Sequence, residues 1–269
     1  MSIVLRLDDY DLASFMLVAA EFGQDHNGYV VTPNVDQLIR YCDEQTFRDL
    51  YDEAAYTLLD SRFLSHLIGL VSGRRPQVCP GSDLTAALLA VVTDPDDPLV
   101  LIGGSEAQVE HLGRQFGLHC LHHHNPDMGF ISDPEAVERC LTYVESHSPF
   151  RFCFLAVGSP QQEMLARRLK DRGIARGLTL CVGASINFLT GLERRAPPWM
   201  RRLGFEWLFR LLQNPGRMAW RYLIRGPRIF ALLPRMRIQL RDAPVDTVDG
   251  QSIRQCGATT AASRRNSLP

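Results

Sequence analysis

The chain has 269 residues, is 45% hydrophobic and 22% charged, and carries a formal net charge of −1. These are the values of an ordinary globular protein long enough to bury a sizeable core. The longest charge-free stretch, 177–192, is shorter than the ~20 residues a spanning helix needs, which argues against a membrane-crossing chain.

Charge is unevenly placed. Residues 1–193 contain 14 basic and 26 acidic side chains, whereas 194–269 contain 15 and 4. Such asymmetry predicts a basic element with an anionic partner, a phosphate or a membrane surface. The cysteines at 42, 79, 120, 140, 153, 181 and 256 are odd in number and form no C-x-x-C pair. They read as reduced buried thiols of a cytoplasmic protein. Asp8, Asp9 and Asp11 interrupt any apolar leader, so no secretory signal is expected.

In chain order, strands are predicted at 29–32, 56–59, 99–102, 118–121, 151–157 and 178–182. Helices are predicted at 11–22, 34–43, 46–54, 62–72, 82–92, 105–116, 133–146, 160–172 and, with breaks, 198–240. Thr46, Ser82 and Asp133 are candidate N-caps. Alternating strands and helices predict an α/β fold, a mainly parallel sheet with helices on both faces. We expect a domain over 1–193, an Arg-rich helical appendage over 194–241 and a disordered tail over 242–269.

Ligands of such sheets bind beyond the carboxyl ends of the strands, and five predicted strands end on suggestive residues. Thr32-Pro33-Asn34 offers a hydroxyl and an amide, suited to sugar or phosphate oxygens or to helix capping. Asp60 is a candidate helix cap or general base. Gly103-Gly104 lets the backbone approach a ligand, but the third glycine of a dinucleotide fingerprint is missing. That absence disfavours a Rossmann-type oxidoreductase. Gly158-Ser159-Pro160 leads into Gln161, Gln162 and Glu163, where a helix start favours a phosphate. Gly183, Ser185 and Asn187 follow the last strand. Together these corners describe one nucleotide-sized crevice.

His119 and His122–His124 resemble a metal cluster, yet adjacent residues of an extended segment face opposite ways, and no metal is expected. Asp94-Pro95-Asp96-Asp97 reads as a solvated turn. Residues 194–241 hold 12 arginines and one acid, Glu206, with Arg217, Arg221, Arg225 and Arg228 on one helical stripe. No nucleic-acid recognition motif accompanies them, so nucleic acid is not an expected partner. A basic aromatic helix on anionic lipid and arginines that grip a diphosphate are both compatible with the pattern.

The blocks TPNVDQL (32–38), LLDS (58–61), PGSDL (80–84), LIGG (101–104), NPDMGF (125–130), GSPQQE (158–163), VGASINFLTG (182–191), RAPPWMRRLGFEWLFRLLQNPGR (195–217) and RYL (221–223) resemble the WecG/TagA/CpsF family of bacterial glycosyltransferases, glycosyltransferase family 26. The resemblance spans about residues 5–233. It implies a Rossmann-like domain with a membrane-touching helical appendage on the inner face of the cytoplasmic membrane. The implied activity is inverting, metal-independent transfer from a UDP-sugar to a polyprenyl-diphosphate-linked sugar. The product would enter exopolysaccharide, capsule or cell-wall polymer synthesis, and a homo-oligomer is compatible with the family.

On this resemblance Asp60 matches the proposed catalytic base, and Thr32 and Asn34 match residues near the donor sugar. Gln162 and Glu163 match a Q-E motif, while Arg217 and Arg221 match arginines expected near a diphosphate. Asp83, Gly103, Gly104, Gly158, Gly183 and Asn187 complete the expected substrate-binding set. No cofactor is implied. NPDMGF inclines the donor toward a glucose-like sugar. The chain departs from the family pattern at Ser61 (commonly Gly), Gln161 (commonly Lys) and Asn187 (commonly Asp), and an expected arginine before PGSDL is missing. These departures motivate an alternative, a catalytically impaired nucleotide-sugar-binding partner of a polysaccharide assembly complex.

Overall fold

A computed structural model describes residues 3–242. The strands are β1 (Ile3–Asp9), β2 (Asn27–Val31), β3 (Tyr56–Thr57), β4 (Leu99–Ile102), β5 (Leu121–His124), β6 (Phe152–Leu155), β7 (Gly177–Cys181) and β8 (Met236–Asp242). Six of them form one parallel sheet in the order β3-β2-β7-β6-β4-β5. The fold is α/β and Rossmann-like, as expected.

The pleat sorts each strand's side chains onto two faces. Leu99 and Leu101, Phe152 and Phe154, and Leu178 and Leu180 join one buried cluster with Phe15, Leu84, Leu88, Leu112 and Ile186. Their neighbours Val100, Ile102, Cys153, Leu155 and Cys181 join the opposite cluster with Leu38, Ile39, Val137, Leu141, Leu165 and Leu169. Both faces are therefore covered by helices, which is why these strands read as unbroken apolar runs.

Local signals explain most helix limits. Asn34, Ser105 and Asp133 cap the helices Val35–Asp43, Glu106–Phe116 and Pro134–Ser146 with their side chains. Gly73, Gly117 and Gly173 end three helices in left-handed backbone, where a Cβ would be strained. Asp133 is the cap anticipated from sequence. At the other two anticipated caps the helices start one residue earlier, at Gln45 and Gly81, preceded by Glu44 and Pro80 without side-chain capping bonds.

Three expectations need correction. The edge strand is 121–124, not 118–121, because Leu118 and His119 are spent on the turn through Leu118 N–H to Gly113 O and His119 N–H to Pro95 O. The expected helix over 82–92 is α-helical over Gly81–Ala87 and continues as a π-helical turn over Leu88–Val92. Residues 236–240, expected to prolong the helical appendage, belong instead to strand β8 (Met236–Asp242), paired in parallel with β1 from Ile3–Met236 to Asp9–Asp242. Asp8 and Asp9 bind this seam: Asp8 accepts from Arg241 and from the Thr57 amide, both at 2.7 Å, and Arg74 links Asp9 to Asp242. The tail expected over 242–269 lies, beyond Asp242, outside the described residues. No helix among the described residues is long and apolar enough to cross a membrane.

Candidate active site

A cleft of about 410 Å³ opens beyond the carboxyl ends of β2 and β3, roofed by residues 201–230. Asn34, Asp60, Asp83, Glu206, Arg201, Arg210 and Arg221 line it, with Phe63, Trp207, Tyr222 and Phe230 as apolar wall. It is concave and largely apolar with a few convergent polar groups, the usual form of a ligand site.

Asp60 lies at its floor. Ser61, not Asp60, caps the helix Arg62–Ser72, accepting from the Leu64 amide at 3.3 Å. Asp60 itself accepts from the Gly81 amide at 2.9 Å. A side chain at Gly81 would come within 3.0 Å of the Thr32 hydroxyl, so the β2 and β3 exits and the Gly81–Ala87 helix converge here. Burial pushes the Asp60 carboxyl up to about 6. The Gly81 hydrogen bond opposes that shift, Glu206 adds to it, Arg210 lowers it and Asp83 raises it slightly. A carboxylate so poised serves as a base near neutral pH.

Arginines line the same cleft and are held by other partners. Arg195 and Arg201 reach Asp83 at 2.7 and 3.5 Å, and Arg195 also donates to the Ser82 hydroxyl at 2.8 Å. Arg210 lies over the Phe188 ring, 5.4 Å from its centroid, and 3.8 Å from Glu193. Arg221 donates to Asn34 Oδ1 at 3.2 Å. Nε of Arg201, Nε1 of Trp207 and Nε of Arg221 are buried donors without a hydrogen-bond partner. The guanidinium groups on the cleft wall suit an anionic ligand. The backbone of Arg217 lies in the helix Pro215–Ala219, and its side chain lies outside the described residues.

A second set of expected residues gathers at the carboxyl ends of β4, β6 and β7. Gly103, Gly104, Gly158 and Gly183 follow β4, β6 and β7, all in left-handed backbone. A Cβ on Gly103 would meet the Ala156 carbonyl at 3.0 Å, so adjacent strand ends can approach only because glycine stands there. The helix after β4 leads outward to β5, and the helix after β6 leads the other way to β7, on the opposite face. The β4–β6 crevice is therefore the topological switch point, where open α/β sheets hold nucleotides.

Gln162 and Glu163 are placed otherwise than expected. Both are buried, and Glu163 is fully enclosed. Gln162 accepts from the Gly183 amide at 2.9 Å and donates to Glu163 at 3.1 Å. Glu163 Oε1 also accepts from Gln37 at 3.2 Å and Tyr51 at 3.3 Å. Their side chains build the corner rather than face the cleft. The reason is the helix Gln161–Arg172, whose periodicity turns 162 and 163 inward with Leu165, Ala166 and Leu169.

Asn187 accepts from Gln108 at 3.0 Å and donates to Glu193 at 3.4 Å. An aspartate there would meet the Glu193 carboxylate. The histidines divide as an extended segment requires. His122 lies tilted against His147 and His124 stacks on Tyr143, whereas His123 Nε2 lies 3.2 Å from both the Gly103 and Gly104 carbonyls. His123 thus braces the glycine corner. Among the described residues no cluster of His, Cys, Asp or Glu could hold a metal ion. Glu206, Arg201 and Arg210 escaped the sequence-based site set. The signal for them was the isolated acid within the basic segment and the arginines around it.

A parallel α/β sheet with a glycine-lined switch point, and a cleft at its carboxyl edge lined by carboxylates and arginines, has the form of a phosphate- or nucleotide-binding protein. The family model described as "Glycosyl transferase WecG/TagA/CpsF family" matches residues 2–243, nearly the whole chain. The chain belongs to this glycosyltransferase family, whose members use nucleotide-sugar donors and lipid-linked acceptors in cell-envelope polymer synthesis.

Proposed function

We propose that the protein is an inverting transferase that moves a hexose or N-acetylhexosamine from a UDP-sugar to a sugar on polyprenyl diphosphate, for exopolysaccharide, capsule or related polymers. The observation that carries this reading is Asp60, a carboxyl raised to about 6 on the floor of a cleft walled by Arg201, Arg210 and Arg221. Asp60 accepts the proton of the acceptor hydroxyl as that oxygen attacks the anomeric carbon. The bond from that carbon to the UDP oxygen breaks on the opposite face, and UDP leaves with the electron pair. Guanidinium groups and helix N-termini offset its charge, electrostatic help worth several kcal/mol where donors are preorganised. In this reading a metal ion is not required for that task. The glycine corners at 103, 104, 158 and 183 cradle the nucleotide at the switch point, with Thr32 and Asn34 toward the sugar and Arg221 toward the diphosphate.

The appendage supports an acceptor that arrives in a membrane. Trp199, Leu203, Phe205, Leu212, Trp220, Leu223, Ile224 and Phe230 are all exposed between residues 199 and 230, interleaved with arginines. Basic, aromatic surfaces of this kind lie in the interface of anionic lipid. Peripheral attachment to the cytoplasmic face would deliver the lipid-linked sugar to Asp60.

The impaired-partner reading loses support at two departures. Ser61 supplies a helix cap that glycine lacks, and Asn187 is satisfied on both sides. The decisive experiment is transfer from a panel of labelled UDP-sugars to lipid-linked monosaccharides in detergent with EDTA, comparing wild type with Asp60→Asn. Product from one donor, lost in the variant, is expected. UDP binding with no transfer from any donor would favour the partner role.

A further inference from the structure

The arginine stripe at 221, 225 and 228 meets acids. Asp36 Oδ2 lies 3.5 Å from Arg221 Nε, and its Oδ1 lies 3.3 Å from Arg225 Nη1. Two turns along the same helix, Asp43 receives both Nη groups of Arg228 at 2.8 and 2.9 Å. Asp36 and Asp43 therefore form an acidic face on Val35–Asp43 against which the appendage arginines dock. The Asp36, Arg221 and Arg225 side chains are each only 21–29% exposed, so these pairs are shielded more than ordinary surface ion pairs.

Resting on the reading of the cleft as a diphosphate site, we propose that Asp36 is a positioning residue for transfer, which holds Arg221 at the cleft wall for a nucleoside diphosphate. Asp36 attracts the Nε edge of Arg221 by charge, and that Nε makes no hydrogen bond. Asn34 takes one Nη2 hydrogen at 3.2 Å. Nη1 and the second Nη2 hydrogen remain to donate to phosphate oxygens. Fixing a free arginine side chain on a ligand costs rotamer entropy. Holding the guanidinium before the ligand arrives removes part of that cost from binding. The arrangement also ties the segment after β2 to the appendage, because Asn34 both caps Val35–Asp43 and accepts from Arg221.

The test is calorimetric titration of UDP into the full chain and the isosteric variant Asp36→Asn, with Arg221→Gln, the double variant and Asp36→Glu. Transfer kinetics are followed on the same set. Asp36→Asn and Arg221→Gln are each expected to weaken UDP about tenfold, the scale of one charge-assisted hydrogen bond. The double variant should bind no more weakly than the weaker single, since Asp36 acts through Arg221. Asp36→Glu should recover most of the affinity. Unchanged UDP affinity in Asp36→Asn overturns the proposal. Tighter binding also overturns it, by making Asp36 a competitor for the arginine. Fully additive losses overturn it by making Asp36 structural and independent of Arg221. Failure of the wild type to bind UDP removes the underlying reading itself, a result seen before any variant is compared.

Discussion

The Asp60 carboxylate accepts the Gly81 backbone amide at 2.9 Å, and this bond joins the exit of β3 to the first turn of the Gly81–Ala87 helix. One oxygen of the acid is thereby held, while the residue still opens onto the cleft. The hydrogen bond favours the ionised form, yet burial outweighs it and leaves the carboxyl at about 6.

The pH dependence of transfer follows from that value. Asp60 must be ionised to accept a proton, so kcat/KM is expected to rise with pH through about 6 and then level. Asp60→Asn should lower the rate by about 10²–10⁴-fold, the usual contribution of a positioned base, and remove the acid limb. A pH–rate profile of both proteins checks this. An unchanged acid limb in the variant would assign the titration to another group.

Stability should move the opposite way. The folded-state carboxyl is raised above its ordinary 3.8, so the folded protein binds the proton more tightly than the unfolded chain. The ionised group therefore costs stability above about pH 6, and the cost disappears as pH falls below 3.8. Asn keeps an oxygen for the Gly81 amide and has no charge to bury. Asp60→Asn should raise Tm by a few degrees at pH 8 and by progressively less toward pH 4, as thermal denaturation across pH would show.

Glu163 should matter to the fold before it matters to ligand. Its Oε1 gathers donors from Gln37, Tyr51 and Gln162 in a fully buried place, and burial holds its carboxyl above the usual range. Glu163→Ala strands those donors and is expected to lower Tm by about 5–10 °C, at roughly 1–3 kcal/mol per unmet buried group. Glu163→Gln retains an acceptor oxygen and should cost less. Equal Tm for wild type and the alanine variant would contradict the buried network.

The exposed appendage side chains predict membrane affinity. Trp220 and Ile224 are 68% and 57% exposed, and Arg221 and Arg225 stand next to them in the chain. The double variant Trp220→Ala/Ile224→Ala should weaken binding to vesicles of phosphatidylglycerol and phosphatidylcholine by about a hundredfold or more in a co-sedimentation titration, as expected for two large apolar side chains at ~1.5–3 kcal/mol each. Salt should weaken wild-type binding. Equal recovery of both proteins with the vesicles would assign these side chains another role.

Much of the framework was legible because it is written in short-range patterns. Runs such as LVLI and FCFL announce strands buried on both faces, and corner residues placed directly after them, Asn34, Asp60 and Gly103 among them, mark the carboxyl edge. Asp60 could be picked out by position, though its reading as a helix cap fell only when Ser61 proved to be the cap. Periodicity also left one pattern open to more than one set of partners. The i, i+3, i+4 arginines suited a lipid-facing or ligand-facing stripe, and the structure pairs three of them with Asp36 and Asp43.

By itself the sequence determined the α/β class, the succession of strands and helices, the glycine-bearing corners and the basic character of the C-terminal segment. Each of these depends on residues close together along the chain. Tertiary structure alone decided that β8 lies on β1, that Gln162 and Glu163 turn inward, and that Arg201, Arg210 and Glu206 line one cleft with Asp60. These relationships join residues far apart in the chain, through partners that no local spacing records. β1 and β8 form a two-stranded sheet that is only partly buried, so neither carries the unbroken apolar run that announced the central strands. Their pairing shows only when the chain closes on itself.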